Sequence, residues 1–204
     1  MGMATMDAPL VAGVDEAGRG PWAGPVVAAA VILGPAAPPG LADSKTLSAA
    51  QRERLFTAIV EQALAVSYRV VSARRIDRTD ILRATLAAMR EAVLALAVAP
   101  AFVYVDGQQT IPGLSVPQQA VVDGDDLLPV VSAASIVAKV VRDRIMTAWD
   151  AVYPAYGFAR HKGYGTREHA AALAAHGPCP LHRRSFAPVR RLAKEQETAG
   201  SVSK

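Results

Sequence analysis

The sequence predicts a mixed α/β fold, a sheet covered by helices, and three observations carry that reading. Strand-like apolar runs stand close together near the N-terminus, and later runs alternate with segments of helical period. The chain of 204 residues is also 51% hydrophobic and 20% charged, which suits a domain with a real core and excludes a disordered or fibrous chain.

The elements follow in order. Residues 1–8 read as a loose tail, and Leu10 to Asp15 as a first strand. Pro25 to Leu33 reads as a second strand, so uniformly apolar that both its faces must be covered. Gly34 to Gly40, rich in Pro and Ala, is a loop. Ser48-Ala49-Ala50-Gln51 has the spacing of a capping box and starts a helix running to Leu64. Ala65 to Val71 is a third strand. Asp80 to Ala97 is a helix with Ile81, Leu82, Leu86, Met89, Val93 and Leu96 as its apolar stripe, and Pro100 closes the turn after it. Ala101 to Val105 is a short buried strand ending in Asp106-Gly107, and Ser115 to Val122 a weaker one. Val130 to Trp149 is a helix, with Val137, Val141, Ile145 and Trp149 at four-residue spacing and Lys139, Arg142 and Asp143 on other faces. Tyr153-Pro154 ends it. Thr166 caps a short helix to Ala175, and a last helix spans Pro188 to Glu195. The chain thus divides into a core over 9–152, a small helical part over 153–194, and loose tails at 1–8 and 195–204.

Several classes drop out. The longest apolar run, Ala92 to Val105, is too short for a membrane helix and is broken by Pro100. The N-terminus lacks a basic segment followed by a long apolar stretch, so no signal peptide is read. Cys179 is the only cysteine, which excludes an internal disulfide and fits a reducing, cytoplasmic setting. Between Pro178 and Pro180 it reads as a loop thiol rather than a nucleophile or metal ligand. Charge is uneven. Net charge is +4, but Lys139 to Lys194 holds 11 basic and 3 acidic residues, net +8, leaving −4 for the rest. A basic C-terminal third suggests a polyanion partner, with a solvated basic surface as the alternative.

Carboxylates supply the candidate chemistry. Asp15 and Glu16 follow the first strand, and Asp106 follows another buried strand. Neighbouring strands lie about 4.8 Å apart, so acids at their ends can share one hard divalent cation. Without a cation, two like charges at about 4 Å repel by roughly 4 kcal/mol at an effective dielectric near 20. Asp123, Asp125, Asp126 and Asp143 compete to be a fourth acid. Asp125, after Gly124 and just before the helix carrying Ser135, suits a loop-borne ligand, whereas Asp143 between Arg142 and Arg144 suits a solvated ion pair. Asp123 and Asp126 read as solvent-facing. Gly18-Arg19-Gly20 directly after the first acids brings bare backbone and a forked positive charge close to a ligand, or is a surface turn.

Five ordered segments resemble one family. They are Asp15-Glu16-Ala17-Gly18-Arg19-Gly20, Asp43-Ser44-Lys45-Thr46-Leu47-Ser48, Val105-Asp106-Gly107, Ser132 to Val140, and His161-Lys162-Gly163-Tyr164-Gly165-Thr166. Together, from Val11 to Arg191, the chain resembles type 2 ribonuclease H, the bacterial ribonuclease HII. The resemblance implies a ribonuclease H-like mixed five-stranded sheet flanked by helices, with a small C-terminal helical part. It implies an endonuclease that cuts RNA in RNA–DNA hybrids and on the 5′ side of single ribonucleotides in duplex DNA, leaving 3′-hydroxyl and 5′-phosphate ends. Mg²⁺ or Mn²⁺, two ions with substrate bound, would be held by Asp15, Glu16, Asp106 and Asp125. Many bacterial members have Lys-Gly-Asp where this chain has Asp123-Gly124-Asp125, which puts phosphate contacts around Asp123 in doubt.

By the same resemblance, Gly18, Arg19 and Gly20 read the 2′-hydroxyl, Tyr164 stacks at the RNA–DNA junction, and Ser44 and Lys45 contact phosphates. Taken without it, Tyr164 is a loop packing residue and Ser44 and Lys45 a polar loop before a capped helix. Arg183 and Arg184 are further phosphate contacts or a solvated pair, and His161 and Lys162 line the same groove. A monomer without a sliding-clamp docking tail is expected. Two other readings remain open: a non-catalytic duplex-binding protein, and a related nuclease that needs longer RNA stretches.

Overall fold

The computed structural model describes residues 9–41 and 47–202, with side chains as far as Lys194. Five strands form one sheet in the order β3-β2-β1-β4-β5. They are β1 (Val11–Ala17), β2 (Val26–Ile32), β3 (Ala65–Val71), β4 (Phe102–Asp106) and β5 (Gln118–Val121). Strand β2 runs antiparallel to both β1 and β3, while β4 pairs parallel with β1 and β5 parallel with β4. The expected mixed five-stranded sheet is what forms.

All seven residues of β2 are buried, as its composition demands. Alternation along the strand sorts them. Val26, Ala28, Ala30 and Ile32 join a core with helix α3 (Ile81–Leu94), while Val27, Ala29 and Val31 join a second core with helix α5 (Pro129–Val152). Helix α5 lies so close to β1 that a Cβ on Gly13 would stand 2.2 Å from the Val130 carbonyl oxygen. Ser48 and Gln51 form the expected capping box of α1 (Ala49–Gln62), with Ser48 Oγ accepting from the Gln51 amide at 3.3 Å and Gln51 Oε1 from the Ser48 amide at 2.9 Å. Asp80 caps α3 and Thr166 caps α7 (Arg167–His176) through the amides three residues on.

Four expectations change. Strand β1 continues through Glu16 to Ala17, because its ladder with β2 persists to Ala17–Val27. Two short helices not read from the sequence, α2 (Ala73–Arg78) and α4 (Gly124–Leu127), flank the sheet. The buried side of α5 differs from the four-residue stripe: Trp149 is 37% exposed, while Arg142 and Met146 are buried. The final helix, α8, runs from Ala187 to Val202, past the expected end at Glu195. No helix among the described residues is long and apolar enough to cross a membrane.

Beyond α5, a single turn (Pro154–Tyr156) and helix α6 (Phe158–His161) lead to α7. This part packs on the segment after β1 through a third core of Ala23, Met146, Tyr156, Phe158 and Cys179. Three buried histidines, His161, His169 and His182, stand beside it. Burial pushes His169 and His182 down to about 4. An unfolded chain binds protons on these rings below about 6.5, and the folded chain refuses them down to about 4. Stability is therefore full above 6.5 and declines as pH falls toward 4. Thermal melts are expected to show a Tm lower by about 5 °C or more near pH 5 than near pH 7.5. An unchanged Tm would show that the rings are not held neutral.

Candidate active site

The end of β1 is unevenly paired. On one side its ladder with β2 runs to Ala17; on the other, its parallel pairing with β4 reaches Val14–Val105. The next residues in that register are Asp15 and Asp106. Residues level on adjacent strands point to the same face, and here it is the face covered by α5. Asp15 is 5% exposed. Its Oδ1 accepts the Glu16 amide at 2.6 Å, and Ser135, on α5, also hydrogen-bonds its carboxylate. Asp106 Oδ1 accepts the Gly124 amide at 2.9 Å, which ties β4 to the start of α4. Asp125, in that same turn, is 3% exposed. All four sequence-read acids line one cavity of about 380 Å³.

The acids crowd one another electrostatically. Burial, then the charges of Glu16 and Asp106, hold Asp15 well above the usual carboxylate range. Burial also raises Glu16, and Arg19, at 3.3 Å from Glu16 Oε1, opposes that shift. Among the described residues no three or more His, Cys, Asp or Glu side chains are already drawn together around one ion position. The arrangement is an open wall of oxygen donors.

Two buried arginines build the turn that follows. Gly18 has φ +99°, and a Cβ there would lie 2.0 Å from Arg142 Nε and 2.8 Å from the Pro25 carbonyl oxygen, so only glycine fits. Arg142 Nε donates to the Pro25 carbonyl at 2.9 Å, and its Nη2 to the carbonyls of Ala23 and Lys162 at 3.2 and 3.0 Å. Arg183 donates to the Gly24, Arg19 and Gly18 carbonyls at 3.0, 2.8 and 2.6 Å. Arg183 is thus no surface phosphate contact: it is fully buried. Burial lowers its guanidinium to about 9, still charged at neutral pH. Helical spacing sets Arg142 on a face other than the apolar stripe, and the tandem basic residues suggest a surface at Arg183. The available signal was the Gly- and Pro-rich stretch from Gly18 to Pro25, whose carbonyls need donors that a ladder does not supply.

Tyr164 is 45% exposed and lines the acid cavity. Its ring centroid is 5.8 Å from the Arg142 guanidinium carbon, and a Cβ on Gly20 would lie 3.9 Å from its Cε1. The ring and the turn therefore share one rim. Gly163 joins the two segments by accepting the Trp22 amide at 2.8 Å. His161 does not line the groove, because its ring is turned inward and buried. Lys162 Nζ bonds Thr147 Oγ1 at 3.0 Å and lines a neighbouring hollow of mixed charge rather than the acid cavity. Arg184 is exposed, its amide donating to Asp77 at 2.9 Å. Asp143 pairs with Lys139 at 2.7 Å. Ser44 and Lys45 lie outside the described residues.

The ribonuclease HII family model matches residues 12–189. The chain belongs to the ribonuclease HII family. It is accordingly an endoribonuclease, a phosphodiester hydrolase. A ribonuclease HII of Acidovorax sp. (strain JS42) is 60% identical over 183 residues, covering 89% of this chain and 87% of the relative. One from Burkholderia mallei (strain SAVP1) is 57% identical over 187 residues, covering 90% and 87%. The crystal structure of ribonuclease H2 from Pyrococcus horikoshii OT3 superposes with a TM-score of 0.79 at 27% identity, covering 92% of this chain and 98% of that one.

The arginine brace predicts a specific loss. Arg183→Met leaves three carbonyls without their donor, those of Gly18 and Gly24 in buried hydrogen bonds, and each buried group so orphaned costs about 1–3 kcal/mol. A Tm drop of about 10 °C or more is expected, together with weakened cleavage. A wild-type melt would rule out the brace.

Proposed function

We propose that this ribonuclease HII family member is a metal-dependent endonuclease that cuts the RNA strand of RNA–DNA hybrids. We further infer that it cuts on the 5′ side of single ribonucleotides in duplex DNA, leaving 3′-hydroxyl and 5′-phosphate ends, and so serves ribonucleotide removal in replication and repair. One observation carries the reading: the cavity that holds Asp15 and Asp106 is also lined by Gly18 and Tyr164.

The donor set fits a hard divalent ion. It offers oxygen alone, two of its carboxylates are buried, and burial followed by mutual repulsion raises Asp15, a cost that a cation relieves. Asp15 and Asp106 are assigned as principal ligands and Glu16 and Asp125 as completing ligands for Mg²⁺ or Mn²⁺, two ions with substrate present. When bound, such ions activate water and relieve charge on the leaving 3′ oxygen. The protein's part is positioning. Ser135 and the Glu16 amide orient Asp15, and the Gly124 amide orients Asp106.

A 2′-hydroxyl both donates and accepts hydrogen bonds, so a turn with bare backbone can distinguish it from the hydrogen of DNA. Gly18, Arg19 and Gly20 are assigned that role. Tyr164, across the rim, is assigned to stack on the sugar of the following deoxynucleotide. Ser44 and Lys45 are assigned contacts with backbone phosphates. The protein is assigned to act as a monomer.

Duplex DNA containing one ribonucleotide, incubated with and without Mn²⁺, is expected to be cut at that residue only with metal. Cleavage of long hybrids alone would replace junction reading with recognition of extended RNA, and binding without cleavage would remove the enzymatic reading. In the same assay, Asp106→Asn is expected to abolish cleavage and largely spare hybrid binding. Activity retained under saturating Mn²⁺ would overturn the ligand assignment.

A further inference from the structure

We propose that His169, oriented by His182 and stacked on His161, is a positioning residue for Tyr164, and that the three histidines form a proton-ordered relay that sets junction selectivity. The inference rests on the assignment of Tyr164 as the junction reader. It assigns a task to buried groups that the cleavage chemistry does not use.

The direction of every bond in the relay follows from two fixed donors, the backbone amides of Cys179 and Gly163. The Cys179 amide can only donate, and it points to His182 Nδ1 at 3.0 Å. His182 Nδ1 is therefore bare and its proton lies on Nε2. His182 Nε2 faces His169 Nε2 at 3.0 Å, and two facing ring nitrogens share one proton. His182 supplies it. The proton of His169 then lies on Nδ1, which donates to the Tyr164 carbonyl at 2.9 Å. A second chain runs beside the first. The Gly163 amide donates to His161 Nδ1 at 3.2 Å, so His161 donates from Nε2 to the Tyr156 carbonyl at 2.7 Å. The His161 and His169 rings stack with centroids 4.5 Å apart and planes 13° apart.

Both ends of Tyr164's backbone are thereby held. Its amide donates to the His161 carbonyl at 2.9 Å, and its carbonyl takes His169 Nδ1–H together with the Thr166 amide at 2.8 Å. Its ring is the part left half-exposed in the cavity, so the backbone decides where the ring stands. A leucine at 169 would keep the volume and remove the donor. Protonating either facing ring would set two N–H groups head to head. Burial agrees with neutral rings, since it lowers all three histidines.

The test compares a duplex containing one ribonucleotide with a continuous RNA–DNA hybrid, measuring kcat and KM for each with Mn²⁺. Tyr164→Ala is expected to lower the single-ribonucleotide-to-hybrid ratio of kcat/KM by about ten- to a hundredfold, the scale of a small misplacement. His169→Leu is expected to lower the same ratio through kcat, with hybrid KM changed less than about twofold. His169→Asn, whose amide can still donate to the Tyr164 carbonyl, is expected to restore most of it. An unchanged ratio in Tyr164→Ala overturns the junction-reading assignment, and this proposal with it. A shifted ratio in Tyr164→Ala beside a wild-type ratio in His169→Leu, or an equal loss on both substrates, overturns the relay alone. Histidine ¹⁵N NMR of the unmodified protein near pH 7 avoids any folding defect. Protons on His169 Nδ1, His182 Nε2 and His161 Nε2 support the relay, and a different tautomer or a charged ring at His169 overturns it.

Discussion

The parallel pairing of β1 with β4 is the constraint on which the site depends. It brings the chain back beside its own beginning after some ninety residues, in a register that sets Asp106 level with Asp15. A slip of one residue would turn one carboxylate to the opposite face of the sheet. The register is held by burial: Val14 and Val105 sit level in the core beneath α3, so their successors must face α5. Helix α5 then closes the site from its own side, bringing Ser135 to Asp15. Gly13 allows this approach by having no side chain. Two like charges are thus forced together by the same contacts that build the core, and the repulsion is a direct cost of the architecture.

The second structural problem is the backbone from Gly18 to Pro25. It leaves the sheet, turns, and re-enters as β2, passing between the core and the C-terminal part. Its carbonyls cannot all find ladder partners. Arg142 and Arg183 answer this from two distant elements, each reaching several carbonyls with one planar fork. The consequence reaches the site. The turn proposed to read the 2′-hydroxyl is gripped from its buried side by Arg183, and Arg142 also holds the Lys162 carbonyl two residues before Tyr164. Turn and tyrosine therefore belong to one rigid rim, although more than 140 residues separate them in sequence.

Which features were legible in the sequence follows from how local their causes are. The second strand could be read because every residue in it is apolar, and the capping box because Ser48 and Gln51 act on each other's amides. Asp15, Glu16, Asp106 and Asp125 were legible as acids beside strand ends or in a glycine-bearing loop, and the structure brings all four to one cavity. Arg142 was not legible. Periodicity assigns a charged residue to the solvent side of a helix, and only the distant loop explains why this one is buried. Arg183 and the inward-facing His161 fail for the same reason, since their partners are carbonyls and amides that carry no mark in the sequence. The end of β1 was misjudged because an antiparallel partner can carry a strand past its apolar run, through two acids.

Charge distribution shows the same principle at larger scale. The basic excess from Lys139 to Lys194 suggests a surface for a polyanion, yet much of it is used inside the molecule. Arg142 and Arg183 are buried on carbonyls. Lys139 pairs with Asp143, Arg144 with Glu53, and Arg160 with Glu168. The last two pairs are exposed and weak, each about 0–1 kcal/mol, and a phosphate can compete for their cations. The two buried arginines cannot be released in this way, because each would leave several carbonyls unsatisfied. A field that attracts a nucleic acid must therefore come from the cations in excess of these pairs, among them the exposed Arg167, Arg184 and Arg190. The buried cations serve instead to hold rigid the backbone proposed to meet the nucleic acid.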